Sequence, residues 1–226
     1  MRTNVISNVL HDLLHLTYIN FQSQKIMEGV LERIEGGIAL QSFIEGIVDF
    51  SNEEMDLIMS HFTPMSLPAG EYFVDEGLVC KNIGFITKGY LRSFYEINEQ
   101  EVTTMINTKH NIVTAHTSFT LQRPSMVYIQ AITDCELLVL SHESMEELYN
   151  RIPKWERLGR LITEHVYGYV EGRVVDYLSL SPEDRYIKML ETDAKLIKNV
   201  PLRYIASMLG ITPETLSRIR KKVNKK

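Results

Sequence analysis

Residues 202–221 have the sequence LRYIASMLGITPETLSRIRK, and this stretch decides the C-terminal part of the fold. Ile205 and Leu209 place apolar side chains on one face of a first helix, and Ala206 is small where a second helix must cross closely. Gly210 can adopt the left-handed backbone that ends a helix. These residues predict a short helix, a tight turn and a second helix.

The second helix is predicted to begin directly after Thr212. The Thr212 side chain can cap the helix, and Pro213 suits the first helical position because no N–H is needed there. Leu216 and Ile219 face back toward the core, so the opposite face carries polar and charged side chains. This pattern is typical of a helix-turn-helix whose second helix enters the major groove of DNA.

Three side chains on that outer face are predicted to contact bases. Glu214, Ser217 and Arg218 are three and four residues apart, which places them on one helical face. The carboxylate would accept from cytosine N4, the guanidinium would donate to guanine O6 and N7, and the short hydroxyl can approach a base closely. The alternative is that Glu214 only complements the helix dipole. Phosphate contacts are predicted for Thr212, Arg220, Lys221, Lys222 and Lys225.

Charge is divided unevenly along the chain, although the whole carries a net charge of −5. Residues 185–226 contain eleven basic and three acidic side chains, whereas the other residues contain 13 basic and 26 acidic ones. A basic segment on an acidic body is typical of a protein that contacts nucleic-acid phosphates with one end. On charge alone, a solvated C-terminal charge run is the alternative.

Upstream of this segment, residues 64–140 have the pattern of a β-rich domain. Gly70, Gly77, Gly84 and Gly89 come at short intervals between runs of strand-forming residues. Short strands with turn signals at regular spacing indicate a sandwich or barrel. The predicted strands are residues 72–74, 84–87, 90–95, 102–106, 126–132 and 137–140.

Helical periodicity flanks the β-rich region on both sides. Residues 4–35 are predicted to be helical because apolar side chains recur every three or four residues. Capping residues predict where later helices begin. These starts are Ser51, in a capping box with Glu54, then Ser144 or Pro153, then Ser181, with a linker over 193–199.

The segment 153–179 is predicted to form one long helix with an apolar stripe. A helix of this length after a β-barrel has little of its own domain to pack on, so we interpret the stripe as a dimer seam. An ordinary buried helix is the alternative. The predicted interface residues are Leu158, Ile162, Tyr169 and Val175.

Several classes of function are disfavoured by what the sequence lacks. No uncharged apolar run approaches the length of a membrane span, and the N-terminus is not a convincing signal peptide, so we expect a cytoplasmic protein with no membrane partner. Cys80 and Cys135 are expected to be reduced and buried. No Ser/His/Asp, Cys/His or paired-carboxylate arrangement stands out, so we expect no catalysis, no metal and no cofactor.

The sequence resembles the Crp/Fnr superfamily of transcription regulators. Residues 70–95 contain Gly-Glu-Tyr, Glu-Gly and Phe-Ile-Thr-Lys-Gly-Tyr-Leu-Arg in that order, which is similar to the start of a cyclic-nucleotide-binding-type β-roll, and the helix-turn-helix also matches. The resemblance covers roughly residues 41–226. It implies an α+β fold of four parts: an N-terminal helical extension over 1–40, a jelly-roll-like β-roll sensor domain over 41–152, a dimerisation helix over 153–179 and a helix-turn-helix domain over 180–226.

The resemblance has two departures. The segment 111–116 lacks the Gly-Glu of the family's phosphate cassette, Ser125 stands where the phosphate-binding arginine would be, and Arg123 is two places out of register. Cyclic nucleotide binding is therefore not expected, and the effector is unassigned. We also do not expect the winged strands that usually follow the recognition helix in this family. The Glu-x-x-Ser-Arg spacing resembles the Fnr branch, which implies TTGAT-like half-sites in an inverted repeat.

The predicted function is that of a homodimeric regulator that binds an inverted-repeat operator in double-stranded DNA, with RNA polymerase as a candidate partner. Two alternatives stay open: a ligand-independent regulator whose roll binds another protein, and a small-molecule-binding β-roll protein. Residues 1–40 could be an extra helix on the roll, a partner-binding arm, or an over-extended start with Met27 as the true first residue.

Overall fold

The computed structural model describes residues 31–223 of the 226-residue chain. The strands are β1 (Thr63–Leu67), β2 (Tyr72–Val74), β3 (Asn82–Lys88), β4 (Tyr90–Ile97), β5 (Gln100–Thr108), β6 (Ile112–Val113), β7 (Tyr128–Ala131) and β8 (Cys135–Ser141). The helices are α1 (31–45), α2 (Asn52–Ser60), α3 (His116–Leu121), α4 (His142–Arg151), α5 (Pro153–Ser179), α6 (Pro182–Thr192), α7 (Ala194–Asn199), α8 (Leu202–Met208) and α9 (Pro213–Val223).

Two antiparallel four-stranded sheets form the β-roll. The first has the strand order β1-β8-β3-β6, and the second has the order β2-β7-β4-β5. Alternate side chains of both sheets meet in one apolar core, to which Leu91, Ile129 and Leu137 contribute fully buried groups. The predicted α+β fold with a β-roll is confirmed.

The outer face of the first sheet is covered by helices α1, α2, α4 and the beginning of α5. Phe85 and Leu140 point out of the sheet into this second core, where they join Ile58, Leu148 and Trp155. The capping box predicted at the start of α2 is present, since the Ser51 and Glu54 side chains each accept from the other residue's backbone N–H.

Helix α1 corrects one predicted boundary. It runs without a break through residues 31–45, so the division placed after residue 40 falls inside a helix. Leu40 and Ile44 lie one turn apart and are both buried against the first sheet, which makes this helix part of the roll's packing. The rest of the N-terminal helix predicted over 4–35, and Met27, lie outside the described residues.

The outer face of the second sheet is covered by helices α6 to α9. Ile106 of β5 is buried in the same cluster as Tyr186, Ile205 and Leu216, so the C-terminal helices share one core with the roll. Arg92 lies on this outer face, whereas its neighbour Leu91 points into the roll.

Five further elements differ from the prediction. Strands β1 and β6 and helix α3 were missed because they are short and irregular in pattern. Helix α4 is capped by Ser141 rather than beginning at Ser144, and the following helix begins at Pro153. The expected linker over 193–199 is helix α7, because the Asp193 side chain accepts from the Leu196 N–H.

Cys80 and Cys135 are both free and buried, as predicted. Burial raises the pKa of the Cys135 thiol above its usual value, despite hydrogen bonds to Tyr90 and Thr133. Within residues 31–223, no helix is long and apolar enough to cross a membrane.

Gly89, in the turn between β3 and β4, gives a test of this arrangement. Its φ is +95°, and a Cβ there would lie 2.6 Å from the Asp134 carbonyl oxygen. We expect Gly89→Ala to lower the free energy of unfolding by roughly 2–4 kcal/mol, because backbone strain adds to a clash with backbone that cannot move aside. Chemical denaturation measures the loss.

Gly37 is the matched control for that substitution. It lies within α1 and a Cβ there would meet nothing within 4 Å. Gly37→Ala should therefore raise the free energy of unfolding by about 0.5–1 kcal/mol through helix propensity. Equal effects of the two substitutions would contradict the assigned turn.

Candidate nucleic-acid interface

Helices α8 and α9 form a tight helical corner. Gly210 adopts a φ of +70°, which favours glycine, and a Cβ there would lie 1.9 Å from the Tyr177 hydroxyl, so a larger residue would also displace that ring. The Thr212 hydroxyl accepts from the Thr215 N–H at 3.3 Å, which makes Thr212 the predicted cap. Ala206 is fully buried where the two helices approach each other.

The two faces of α9 differ in the predicted way. Leu216 is fully buried and Ile219 is partly buried in the core of the C-terminal helices. Glu214, Ser217 and Arg218 are all exposed on the opposite face. The structure therefore brings the three candidate base-reading side chains together on one open helical surface, although it does not test which groups they bind.

Local contacts hold Glu214 in its charged form. Its own backbone N–H and the Thr212 side chain lower the pKa of this carboxyl, and the positive charge of Arg218 lowers it further. The carboxylate is thus an acceptor at neutral pH. These contacts also fit the alternative that the Glu214 carboxylate only stabilises the positive end of the helix dipole at the N-terminus of α9.

The candidate phosphate-binding residues have different surroundings. Thr212 and Lys221 are exposed and Arg220 is half-buried. Lys222 Nζ lies 2.5 Å from the Glu183 carboxylate of α6. An exposed pair of this kind is weak, so it competes little with a phosphate. Lys225 lies outside the described residues.

Helix α5 has a second exposed surface, and it differs from the predicted seam. Leu158 is only 2% exposed and packs into the core formed with the first sheet, so its assignment to a dimer interface is wrong. Ile162 is half-buried against the same core. The error arises because the first turns of α5 still pack on the roll, which periodicity alone cannot show.

Beyond residue 163 the helix α5 no longer contributes to the core on the first sheet and carries large exposed apolar groups. Tyr167, Val170, Val174 and Leu178 are spaced by three and four residues and share one face, which we call the α5 stripe. The predicted interface residues Tyr169 and Val175 are also exposed. At about 100° per residue, however, Val175 lies to one side of this face and Tyr169 lies nearly opposite it.

Sequence reasoning missed how the helix-turn-helix docks on the roll. The Thr103 N–H of β5 donates to Ser207 Oγ of α8 at 2.9 Å, and Asn199 donates to the Tyr90 hydroxyl at 3.0 Å. Arg173 of α5 donates to the Thr104 carbonyl oxygen. A serine within the first helix of the motif was the available signal, since its hydroxyl needs a partner when it is half-buried.

The segment that would bind a cyclic phosphate in the roll is occupied by other contacts. Ser125 is buried, and its hydroxyl donates to the Val127 carbonyl oxygen at 2.7 Å. The Ser118 hydroxyl accepts from the Cys80 N–H and donates to the Arg123 carbonyl oxygen. The Arg123 side chain itself is exposed. Within the part of the chain that the structure describes, no guanidinium takes the place that the family's arginine would have here.

Comparison with known proteins supports this architecture. Residues 64–152 match the family model of the cyclic nucleotide-binding domain. No curated protein matched the sequence. FixK2 of Bradyrhizobium japonicum has a similar structure, with a TM-score of 0.65 and 17% identity over 73% of this chain and 85% of that one.

Two further solved structures have the same fold. The c-di-GMP-responsive global regulator CLP of Xanthomonas campestris aligns with a TM-score of 0.61 and 16% identity over 77% of this chain and 92% of its own. A transcriptional regulator of the Crp/Fnr family from Eubacterium rectale aligns with a TM-score of 0.61 and 16% identity over 78% and 84%. The chain has the architecture of Crp/Fnr regulators.

The charged state of Glu214 gives a test of the α9 surface. Because the folded state lowers this pKa below its usual 4.5, the carboxylate stabilises the fold above pH 4.5, and that contribution disappears as the pH falls through the lowered value. Carboxyl NMR titration should show a lowered pKa in the wild type, and Arg218→Ala should move it back toward 4.5. A Glu214 pKa above 4.5 would contradict these contacts.

Proposed function

We propose that this chain is a homodimeric, cytoplasmic transcription regulator that binds an inverted-repeat DNA operator with helix α9 and has no catalytic activity. The single observation that carries the proposal is the outer face of α9, where Glu214, Ser217 and Arg218 are exposed above a corner capped by Thr212. A helix-turn-helix of this kind presents its second helix to the major groove. The basic character of residues 185–226 supplies attraction to phosphates.

Base contacts follow from the chemistry of the three side chains. The ionised Glu214 carboxylate suits the cytosine N4 amino group, and Arg218 suits guanine O6 and N7 on the opposite strand. Arg218 is held toward this surface by a 3.2 Å hydrogen bond to the Thr215 hydroxyl. A G·C pair at the centre of a TTGAT-like half-site satisfies both contacts.

Dimerisation is proposed to occur through the α5 stripe. Four large apolar groups exposed at coiled-coil spacing, outside any core of their own chain, are costly in water unless a partner covers them. A parallel copy of α5 would cover them and place two α9 helices on one side of the dimer. An operator with inverted half-sites about one helical turn apart fits that symmetry.

The roll is proposed not to bind cyclic AMP or cyclic GMP tightly. Ser125 holds the place of a phosphate-binding arginine and has its own backbone partner. Calorimetry with cyclic AMP or cyclic GMP tests this part of the proposal, and a micromolar or tighter dissociation constant would refute it.

RNA polymerase is a further proposed partner, since a regulator of this class acts at promoters.

Base readout is tested by comparing Arg218→Ala with Lys221→Ala on duplexes with a TTGAT inverted repeat. We expect Arg218→Ala to lose about 1–3 kcal/mol of binding free energy and its preference at one base pair, because guanine contacts are removed. Lys221→Ala should weaken intact and altered half-sites alike and reduce the salt slope by about one, as a phosphate contact does.

Fluorescence anisotropy at several salt concentrations measures both effects. Lys81→Ala is the charge-matched control, since Lys81 is exposed on the roll. An unchanged base preference in Arg218→Ala would contradict the proposed contact between Arg218 and guanine. Equal wild-type affinity for intact and altered half-sites would contradict the proposed function as a whole.

The α5 stripe is tested by the double substitution Val170→Glu and Val174→Glu. Both side chains are about half exposed in the single chain, so the monomer should keep its fold while charge repulsion separates the two copies. Analytical ultracentrifugation at tens of micromolar should show a dimer for the wild type and a monomer for the variant. Operator binding should weaken strongly because one half-site replaces two.

Val175→Glu is the control for that experiment. Val175 is equally exposed on α5 but lies to the side of the stripe, so this variant should remain dimeric. A monomeric wild type would overturn the proposed dimer. Dissociation by Val175→Glu alone would instead place the interface on the face first predicted from the sequence.

A further inference from the structure

A cavity of about 430 Å³ lies between the outer face of the second sheet and helix α8. Its walls are polar, charged or aromatic, in contrast to the apolar interior of the roll. The roll contributes Arg92, Glu101, Thr103 and Gln130. The helix contributes Arg203, Tyr204 and Ser207. This volume is within the usual range of small-molecule sites.

Arg92 brings a buried positive charge to the cavity. Its side chain is 3% exposed, and Nη1 donates to the Glu101 carboxylate at 2.5 Å. Nε and Nη2 both donate to the Gln130 side-chain oxygen, at 3.1 and 2.6 Å. A guanidinium has five N–H groups, so these bonds leave two of them for another acceptor.

Arg203 brings a second guanidinium to the same wall. It donates to the Tyr204 hydroxyl at 2.8 Å, and its guanidinium carbon lies 4.7 Å from the Tyr204 ring centroid. The Arg92 guanidinium lies 4.1 Å from the centroid of the same ring. Two cations and the carboxylate of Glu101 leave the cavity with a net positive charge. An anion is therefore the ligand that the lining favours.

Thr103 supplies an independent sign that the cavity is a binding site. The residue is 2% exposed, and among residues 31–223 its hydroxyl has no hydrogen-bond partner. Its backbone N–H donates to Ser207 Oγ, and the residue is one of those that line the cavity. Buried polar groups in native proteins are nearly always satisfied, so an unpaired hydroxyl on a residue that shares a cavity with two guanidiniums indicates a missing acceptor.

We propose that this cavity binds a small oxyanion, a carboxylate or phosphate group, and that the bound anion accepts hydrogen bonds from Arg92, Thr103 and Arg203. The ligand would be held by the roll and by α8 together. It therefore binds the docked arrangement of the helix-turn-helix more tightly than any arrangement in which α8 leaves β5, and it shifts the population toward the docked one. Only this regulatory consequence rests on the proposed DNA binding.

The binding test uses inorganic phosphate and malonate as probes on the full chain. Each is titrated at constant ionic strength, with sodium chloride as the balancing salt, while thermal unfolding is followed. We expect a saturable rise in melting temperature with the anion that fits, and the two arms separate a phosphate from a carboxylate ligand. A rise no larger than that in sodium chloride, for both anions, would overturn the proposal.

Two variants locate the anion within the cavity. Arg203→Gln and Thr103→Val should each weaken the apparent affinity by about tenfold or more, because each removes a hydrogen bond to a charged ligand. Thr103→Val keeps the side-chain shape and removes an unpaired hydroxyl, so the ligand-free protein should be at least as stable as the wild type. Arg157→Gln changes an exposed arginine of α5 outside the cavity and should have no effect.

The possible failures are distinct. Full anion binding in both cavity variants would place the anion elsewhere, for example on the basic α9 surface, and would overturn the site. Loss in Arg203→Gln with no change in Thr103→Val would place the anion on the surface around Arg203 and would also overturn it. Failure of DNA binding alone would leave the melting results intact, because they are measured without DNA.

Discussion

The guanidinium of Arg173 joins the three parts of this molecule. From the C-terminal third of α5 it donates to the Thr104 carbonyl oxygen of β5 and, at 3.3 Å, to the Met208 carbonyl oxygen at the end of α8. Carbonyls at a helix end have no partner within the helix, and a cation there also suits the helix dipole. One side chain of the proposed dimer helix thus hydrogen-bonds to both the roll and the helix-turn-helix. A displacement of any one of these three parts would break or strain these hydrogen bonds.

Arg185 likewise donates to a backbone carbonyl oxygen at the turn of the helix-turn-helix. Its Nη2 donates to the Leu209 carbonyl oxygen at 2.9 Å, and its guanidinium lies 4.5 Å from the Tyr177 ring centroid, beside Gly210. The inner face of the corner is therefore held by α5, α6 and β5, whereas the outer face of α9 stays open. A rigid base under an exposed helix is what base readout requires, because contacts to bases tolerate little displacement. The proposed anion cavity lies on the held side of the corner.

Features that depend on interactions between neighbouring residues could be predicted from the sequence, whereas features that depend on long-range packing could not. The α8–α9 corner was predictable because Gly210, Thr212 and Pro213 act on their own neighbours. The exposed α5 stripe was only partly predictable, since Leu158 belongs to the core on the first sheet and the stripe begins later. The cavity could not be predicted, because it unites residues of β4, β5, β7 and α8 that are far apart in sequence and meet only through the docked fold.

Two copies of α9 are proposed to read a symmetric DNA sequence. Selection of bound duplexes from a random library, with the full chain at physiological salt, tests it without assuming a site. We predict enrichment of an inverted repeat whose half-sites each contain a G·C pair and have centres about 34 Å apart, one turn of B-DNA. Recovery of no common sequence, or of a single half-site without its inverted partner, would contradict it.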